Sequence, residues 1–420
     1  MARQMKDSGI EWIGKIPVNW GIHTASQLFS QVKNKNEGMQ ENNLLSLSYG
    51  RIIKKNINAT EGLLPESFEG YNIIEPNDIV LRLTDLQNDH TSLRVGISGQ
   101  RGIITSAYIT LHNESDCVER YLYYQLHAFD ICKGFYGMGA GVRQGLNWDG
   151  IKMLKLVRPA VAEQHRIAAF LDRQCAEIDA VIERTKATIE EYKKLKQAVI
   201  IEAVTKGVRG ARKMKDSGIE WIGEIPEEWR ITRVGRLCFV TKLAGFEFTD
   251  HMMQALTEEG DVPIVRAQHI KMGRFLDNPA EYISFAVSQK LSRCALDQRC
   301  LIITFIGAGI GEVALFDREQ RYHLAPNVAK IVITQEMKKY LSEEYLLYFL
   351  MSSAVQEEVN KIKKATAQPS LSMETIRSIK VLIPESKEEQ TEIVTYLDEE
   401  CVAIDNLIAK KTALLTELET

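Results

Sequence analysis

The stretch QHRIAAFLDRQCAEIDAVIERTKATIEEYKKLKQAVIIEAV, Gln164 to Val204, decides how this chain is read. Two rows of mostly apolar residues recur every seven positions. Leu171, Ile178, Thr185, Tyr192 and Val199 form one; Ala168, Cys175, Ile182, Ile189 and Ala203 form the other, interrupted at Lys196. That spacing is a coiled-coil seam, and charges fill many of the remaining positions. Gly207 and Gly210 stand where such a helix should stop. At about 1.5 Å per residue the helix is roughly 60 Å long, more than a small domain is wide, so it reads as a spacer.

The stripe occurs twice. Leu397-Asp398, Cys401, Ile404-Asp405, Ile408, Leu415 and Leu418 repeat Leu171-Asp172, Cys175, Ile178-Asp179, Ile182, Ile189 and Tyr192 at a constant offset of 226. Two copies of one apolar stripe most simply bury each other, so Leu171, Cys175, Ile178, Ile182, Ile189, Leu397, Cys401, Ile404, Ile408 and Leu415 are the expected helix-packing or partner-docking positions. Ser386 with Glu389 predicts a capping box for the second copy, which the first, with Ala160 in that place, lacks. Thr420 answers Lys194, so the second stripe is shorter, and an antiparallel pairing leaves Ala168, Leu171 and Cys175 without a partner helix.

Other blocks repeat as well. Met5 to Trp20, MKDSGIEWIGKIPVNW, returns as MKDSGIEWIGEIPEEW from Met214 to Trp229, an offset of 209, with ten consecutive identities. Tyr121 to Leu126 (YLYYQL) answers Tyr345 to Leu350 (YLLYFL); Leu146, Ile151, Lys155 and Pro159 answer Leu371, Ile376, Lys380 and Pro384. The chain is a tandem duplication of an α/β (α+β) globule followed by a long helix. The expected boundaries are 1–160, 161–208, 209–385 and 386–420. Between the repeated blocks the halves differ, and strand-like runs there, Leu44 to Ser48, Asp78 to Thr84, Val262 to Arg266 and Leu301 to Phe305, end in polar or glycine-rich turns. One scaffold with two unlike sets of loops suggests two different things being read.

The 420 residues are 45% hydrophobic and 26% charged, ordinary for a folded protein of two or three domains. The N-terminus has no signal-like apolar run, and no stretch approaches the ~20 apolar residues of a membrane span. Seven cysteines without CxxC pairs argue against a disulfide framework or a zinc site and for a reducing cytoplasm. The net charge of −4 does not suit a nucleic-acid binder, yet residues 386–420 alone hold three basic and nine acidic groups. The body is therefore close to neutral and can carry a basic face.

A search for catalytic motifs returns little. Gly307, Gly309 and Gly311 imitate a dinucleotide loop, but the third glycine of that pattern would fall on Glu312, so a hairpin turn is the better reading. There is no Walker motif, no HExxH and no metal set, and Asn278-Pro279-Ala280-Glu281-Tyr282 breaks the adenine-methyltransferase loop pattern. What remains are turns rich in groups suited to base edges and phosphates. The first half offers Tyr49, Arg51, Arg82, Thr84, Gln87, Arg143 and Gln144; the second offers Arg266, Gln268, His269, Lys271, Lys363, Lys364, Thr366 and Gln368. Arg143-Gln144 and Lys363 to Gln368 occupy matching places in the two repeats. Tyr121, Tyr124, Tyr345 and Tyr348 read as core residues rather than stacking platforms.

The duplicated MKDSGIEWIGxIPxxW, the Arg143-Gln144-Gly145-Leu146 turn, and Pro159, Glu163-Gln164, Ile167 and Leu171-Asp172 opening a recurring long helix resemble the specificity subunit of type I restriction-modification systems. The resemblance implies two target-recognition domains, each reading half of a bipartite double-stranded DNA target, separated by two antiparallel coiled-coil helices with pseudo-two-fold symmetry. It implies a non-catalytic chain that binds two modification subunits and, through them, restriction subunits, with S-adenosylmethionine and ATP on those partners and no cofactor of its own. The alternative is a coiled-coil scaffold that joins two protein-binding domains and touches no DNA.

Overall fold

The structure is a computed structural model that describes residues 3–57, 65, 67–86, 93–138, 145–365 and 370–419, and of 362–365 the backbone alone. The chain divides into two compact units, Met1–Ala180 and Val181–Thr420. The division falls inside the first long helix, Val161–Lys206, whose opening turns group with the first unit.

Each unit contains a four-stranded antiparallel sheet of the same order, and the second unit adds a four-stranded mixed sheet, Tyr282–Ile283, Val262–Val265, Tyr322–Leu324, Ala295–Leu296. In the first unit the antiparallel order is Phe29–Gln31, Ile109–Asn113, Ile79–Leu81, Val95–Ile97; in the second it is Cys238–Lys242, Val328–Ile333, Cys300–Thr304, Val313–Phe316. The repeated motifs are therefore a repeat of topology. A second pair of strands recurs too, Gly21–Thr24 with Lys155–Arg158 and Arg230–Arg233 with Lys380–Ile383. The expected amphipathic helices are Glu119–Ile131 and Glu343–Met351.

The MKDSGIEWIG block owes its spelling to a strand–turn–strand. Asp7 Oδ1 accepts the Gly9 amide at 2.9 Å and Ser8 Oγ the Ile10 amide at 3.1 Å; Asp216 and Ser217 do the same for Gly218 and Ile219 at 2.9 and 3.1 Å. Gly9 and Gly14, like Gly218 and Gly223, hold positive φ, which a side chain would strain.

The second long helix is Lys387–Glu419. Within the second unit Lys186 meets Glu419 at 3.0 Å, Lys196 meets Asp405 at 2.7 Å, and Arg209 meets Glu392 at 2.7 Å. Numbers rise on one segment as they fall on the other, so the pairing is antiparallel. These exposed pairs contribute at most about 1 kcal/mol each and report register more than stability. The seam stabilises: Ile200, Ala203, Val204, Ile393, Leu397 and Cys401 lie in one buried cluster with the helix Glu343–Met351. Ile189, Thr185 and Ile404 are buried as well, Ile182, Ile408 and Leu415 half-buried. Gly207 closes the first helix at φ +76°, its amide on the Ala203 carbonyl at 3.0 Å.

Two expectations need correction. Ser386 Oγ does accept the Glu389 amide at 3.2 Å, but the Glu389 carboxylate goes to Arg212 at 2.5 Å, so the reciprocal bond of a capping box is replaced by a buried ion pair. Ala168 is not left bare. It is buried in the first unit's own core with Leu122, Leu126 and Leu156, and Trp12 packs on the same cluster; Leu171 is half-buried, while Cys175 and Ile178 are exposed. The globule that opens the helix covers what no second helix reaches.

Every residue from Cys175 to Ala180 is exposed, whereas Ile189, Ile200, Ala203 and Val204 are buried. Amides of 175–180 in the isolated chain are expected to exchange about tenfold or more faster than those of 189–204, because local opening there breaks few buried contacts. Exchange mass spectrometry checks this; equal protection along the helix would refute the seam described above.

Candidate nucleic-acid interface

Equivalent groups tie each globule to its long helix. Tyr124 donates to Asp172 at 2.8 Å and Tyr348 to Asp398 at 2.6 Å; burial, reinforced by these carboxylates, pushes both phenols up. Gln164 accepts the Val118 amide and Gln390 the Ser342 amide, each at 2.9 Å. Arg3 meets Glu163 at 2.6 Å as Arg212 meets Glu389 at 2.5 Å. The Arg3 hydrogen bond, helped by the Trp20 indole, holds Glu163 below the usual carboxylate range. Tyr121 and Tyr345 are buried, with their hydroxyls on the carbonyls of Val157 and Val204. The aromatic helices are fixtures of the scaffold.

With the frame held this way, variation falls to the strand ends. In the first unit Ile79–Leu81 leads into the turn Arg82 to Leu86, and Val95–Ile97 returns from Arg94. Arg82 is half-buried and Thr84 exposed. Leu146 donates to the Leu83 carbonyl at 2.9 Å, so the segment ending at Gly145 is anchored on this same turn. In the second unit Leu371 donates to the Phe305 carbonyl at 2.9 Å, just past Cys300–Thr304. Leu146 and Leu371, which follow the two segments singled out by matching sequence positions, therefore bond at matching places in the two sheets. Gln87, Arg143, Gln144, Thr366 and Gln368 lie outside the described residues, and so do the side chains of Lys363 and Lys364 on the helix Ser353–Ala365.

Tyr49 and Gly50 form a two-residue hairpin turn between Leu45–Ser48 and Arg51–Lys54, both at positive φ, the geometry that matches strand twist. Tyr49 is 75% exposed. Arg51 turns back to Asp179 on the long helix at 2.7 Å. Beside them a cavity of about 440 Å³ is lined by Arg51, Arg120, Tyr123, His127 and Cys175. Arg120 lies 5.1 Å over the Tyr123 ring and pairs with Asp172 at 2.5 Å, and burial pushes the His127 imidazole down.

In the second unit Gly307 to Gly311 connects antiparallel neighbours, with the Gly311 amide on the Thr304 carbonyl at 2.9 Å, which makes it the hairpin turn the sequence suggests. A short hairpin, Ile270–Lys271 with Arg274–Phe275, packs against it: the Gly273 amide reaches Val313 O at 2.8 Å and Lys271 lies 3.7 Å from Glu312. Gln268 and Lys271 are exposed; Arg266 is half-buried and pairs with Glu281. His269 is placed differently from its reading as a contact group. It is buried, accepts the Arg266 amide at Nδ1 (3.1 Å), and is pushed down by burial and then by the Arg266 charge, a neutral staple of the turn.

Against known proteins, residues 226–420 match the family described as the type I restriction modification DNA specificity domain. Over 413 residues the chain is 21% identical to the type I restriction enzyme MjaVIII specificity subunit of Methanocaldococcus jannaschii, covering 96% of this chain and 90% of that one. Residues 226–420 thus carry the type I specificity domain, and over nearly its whole length the chain resembles type I restriction enzyme specificity subunits. The EcoKI specificity subunit of Escherichia coli is 26% identical over 270 residues, 61% of this chain and 53% of its own length. In fold, the chain is similar to one from a study of complex assembly and conformational transition of the type I R-M system, at TM-score 0.69 and 14% identity over 96% of this chain and 95% of that one. It is also similar to the HsdS subunit from Thermoanaerobacter tengcongensis, at TM-score 0.51 and 13% identity over 98% and 96%. Among the described residues no helix is long and apolar enough to cross a membrane, and no His, Cys, Asp and Glu cluster could hold a metal.

Sequence reasoning missed Arg94, Asp130, Tyr136 and Arg120, which shape these strand ends. No pattern in one sequence marks them. Arg94 stands 36 and 42 positions from Asp130 and Tyr136, and only folding brings the three together.

Proposed function

We propose that each repeat of this specificity subunit reads one half of a bipartite duplex target, with the long helices setting the gap between the halves. One observation carries the reading: two sheets of identical topology present unlike turns at the same strand ends. In this reading Tyr49, Arg51, Arg82, Thr84, Arg143 and Gln144 serve one half-site, and Arg266, Gln268, Lys271, Lys363, Lys364, Thr366 and Gln368 the other. His269 acts only by holding its turn.

The chain itself is the recognition component and does no chemistry. Two modification subunits bind it and carry S-adenosylmethionine, and restriction subunits that use ATP join them, in the cytoplasm. Support for two copies of one partner comes from exposed apolar residues that recur at equivalent helix positions, Phe170 with Tyr396 and Val181 with Leu407. Exposed apolar positions repeated in this way suit two identical docking surfaces.

Arg143→Ala and Lys363→Ala are expected to weaken duplex binding. Loss of a phosphate contact lowers the salt slope by about one unit, while loss of a base contact costs ~1–3 kcal/mol at one position. Titration of labelled duplex at several salt concentrations separates the two cases. Wild-type binding by both variants would remove these segments from the interface, and a wild-type chain that shifts no duplex at low salt would favour the coiled-coil scaffold instead.

A further inference from the structure

The turn between the third and fourth strands of the sheet is stabilised in two different ways in the two repeats. In both, the amide that opens the turn donates to the carbonyl that closes it: Arg82 to Arg94 and Thr304 to Glu312, each at 2.9 Å. Arg94 and Glu312 are thus equivalent. In the second repeat the turn is short, and Gly307 and Gly311, at φ +103° and +87°, let the backbone close on itself. In the first it is four residues longer and its opening, Arg82 to Leu86, contains no glycine.

A buried guanidinium takes the place of the glycines. Arg94 is fully buried. Its Nη1 donates to the carbonyls of Arg82 at 3.1 Å and Thr84 at 2.9 Å, and its Nη2 to that of Asp85 at 3.4 Å. Asp85 holds φ +57°, the left-handed region, which strains a side chain and which aspartate tolerates better than most non-glycine residues. The guanidinium is aimed in turn by Tyr136, whose hydroxyl accepts Nε at 3.0 Å, and the Arg94 amide donates to the buried Asp130 carboxylate at 2.5 Å. Arg94 itself points inward and does not reach the surface, but three carbonyls that it holds belong to the peptide units carrying Arg82, Thr84 and Asp85. Leu83, whose carbonyl anchors the segment ending at Gly145, lies between them.

We propose that Arg94 is the positioning residue for the half-site read by the first unit: it fixes the direction of Arg82 and Thr84 without touching DNA. The inference rests on the proposed reading of bipartite duplex targets. A planar fork with five donors can hold several carbonyls in one geometry; a lysine ammonium keeps the charge but not the fork.

The test uses the full chain and a pool of duplexes randomised over a bipartite site, from which bound sequences are recovered and read, with thermal unfolding followed in parallel. Arg94→Lys is expected to lower discrimination in one half of the recovered site by about tenfold to a hundredfold, the size of one or two lost base preferences, and to leave the other half as in wild type. Should that variant fail to fold, Tyr136→Phe, which removes only the hydroxyl that aims the guanidinium, must give the same one-sided relaxation in smaller measure. Folded variants that relax both halves equally, or neither, would overturn the positioning role. A wild-type chain that recovers no preferred sequence would instead overturn the reading on which the inference rests.

Discussion

Exchanging the block between Trp20 and Tyr121 for that of a relative with a different target is expected to change one half of the methylated sequence and leave the other half intact. The structure gives the reason. The exchanged block joins the remainder of its unit through a strand pair, Gly21–Thr24 with Lys155–Arg158, whose hydrogen bonds are main-chain and indifferent to side-chain identity, and through the core that Ile79, Leu81 and Val95 share with Leu122, Leu126 and Phe129, which a replacement must refill with apolar residues of like volume. Several groups that tie the globule to the long helix lie outside the block or at its edge, Arg3 and Trp20 on Glu163, Tyr124 on Asp172, Val118 on Gln164, while Arg51 on Asp179 and Arg120 on Asp172 lie within it. New loops therefore arrive on an old frame. With each altered base pair contributing about 1–3 kcal/mol, replacement of a whole half-site should abolish modification of the original sequence. Sequencing that maps methylated adenines in cells carrying either gene reads the outcome, and a change in both halves would end the modular account.

The largest expected loss of stability from a single substitution lies at Trp229. Its side chain is fully buried in the cluster that contains Ile200, Val204, Ile393 and Leu397, and the Arg212 guanidinium lies 5.3 Å over its ring while pairing with buried Glu389. Trp229→Ala opens a cavity at the junction of globule and helix and should cost about 3–5 kcal/mol. Its counterpart Trp20 is only partly buried and donates its indole N–H to Glu163 at 3.2 Å. Trp20→Ala should cost roughly 1–2 kcal/mol, in the common range for a partly buried group. Denaturant unfolding of the two variants measures the difference. Equal losses would mean that the two copies of the motif are used alike, contrary to their burial.

Much of the architecture was legible without coordinates, because the signals involved are local or self-repeating. A seven-residue period places Leu397, Cys401 and Ile404 on one face of their helix, as it does Leu171, Cys175 and Ile178, although only the first set is buried, and positive-φ glycines at Gly207, Gly307 and Gly311 mark a helix end and a hairpin turn by sterics alone. Repeated blocks at nearly constant offset could only mean repeated topology, and of the four tyrosines read as core residues Tyr121 and Tyr345 are buried, while Tyr124 and Tyr348 are half-buried and held by Asp172 and Asp398. Tertiary structure alone decided which polar groups are available for reading. His269 sits in a polar stretch, yet folding buries it; Arg51 stays exposed and gains an aspartate partner 128 positions away; and Arg94, unmarked in the sequence, becomes the brace of a turn. The exposure of a polar side chain and the identity of its partner depend on residues brought together across long chain separations, and no local period encodes those.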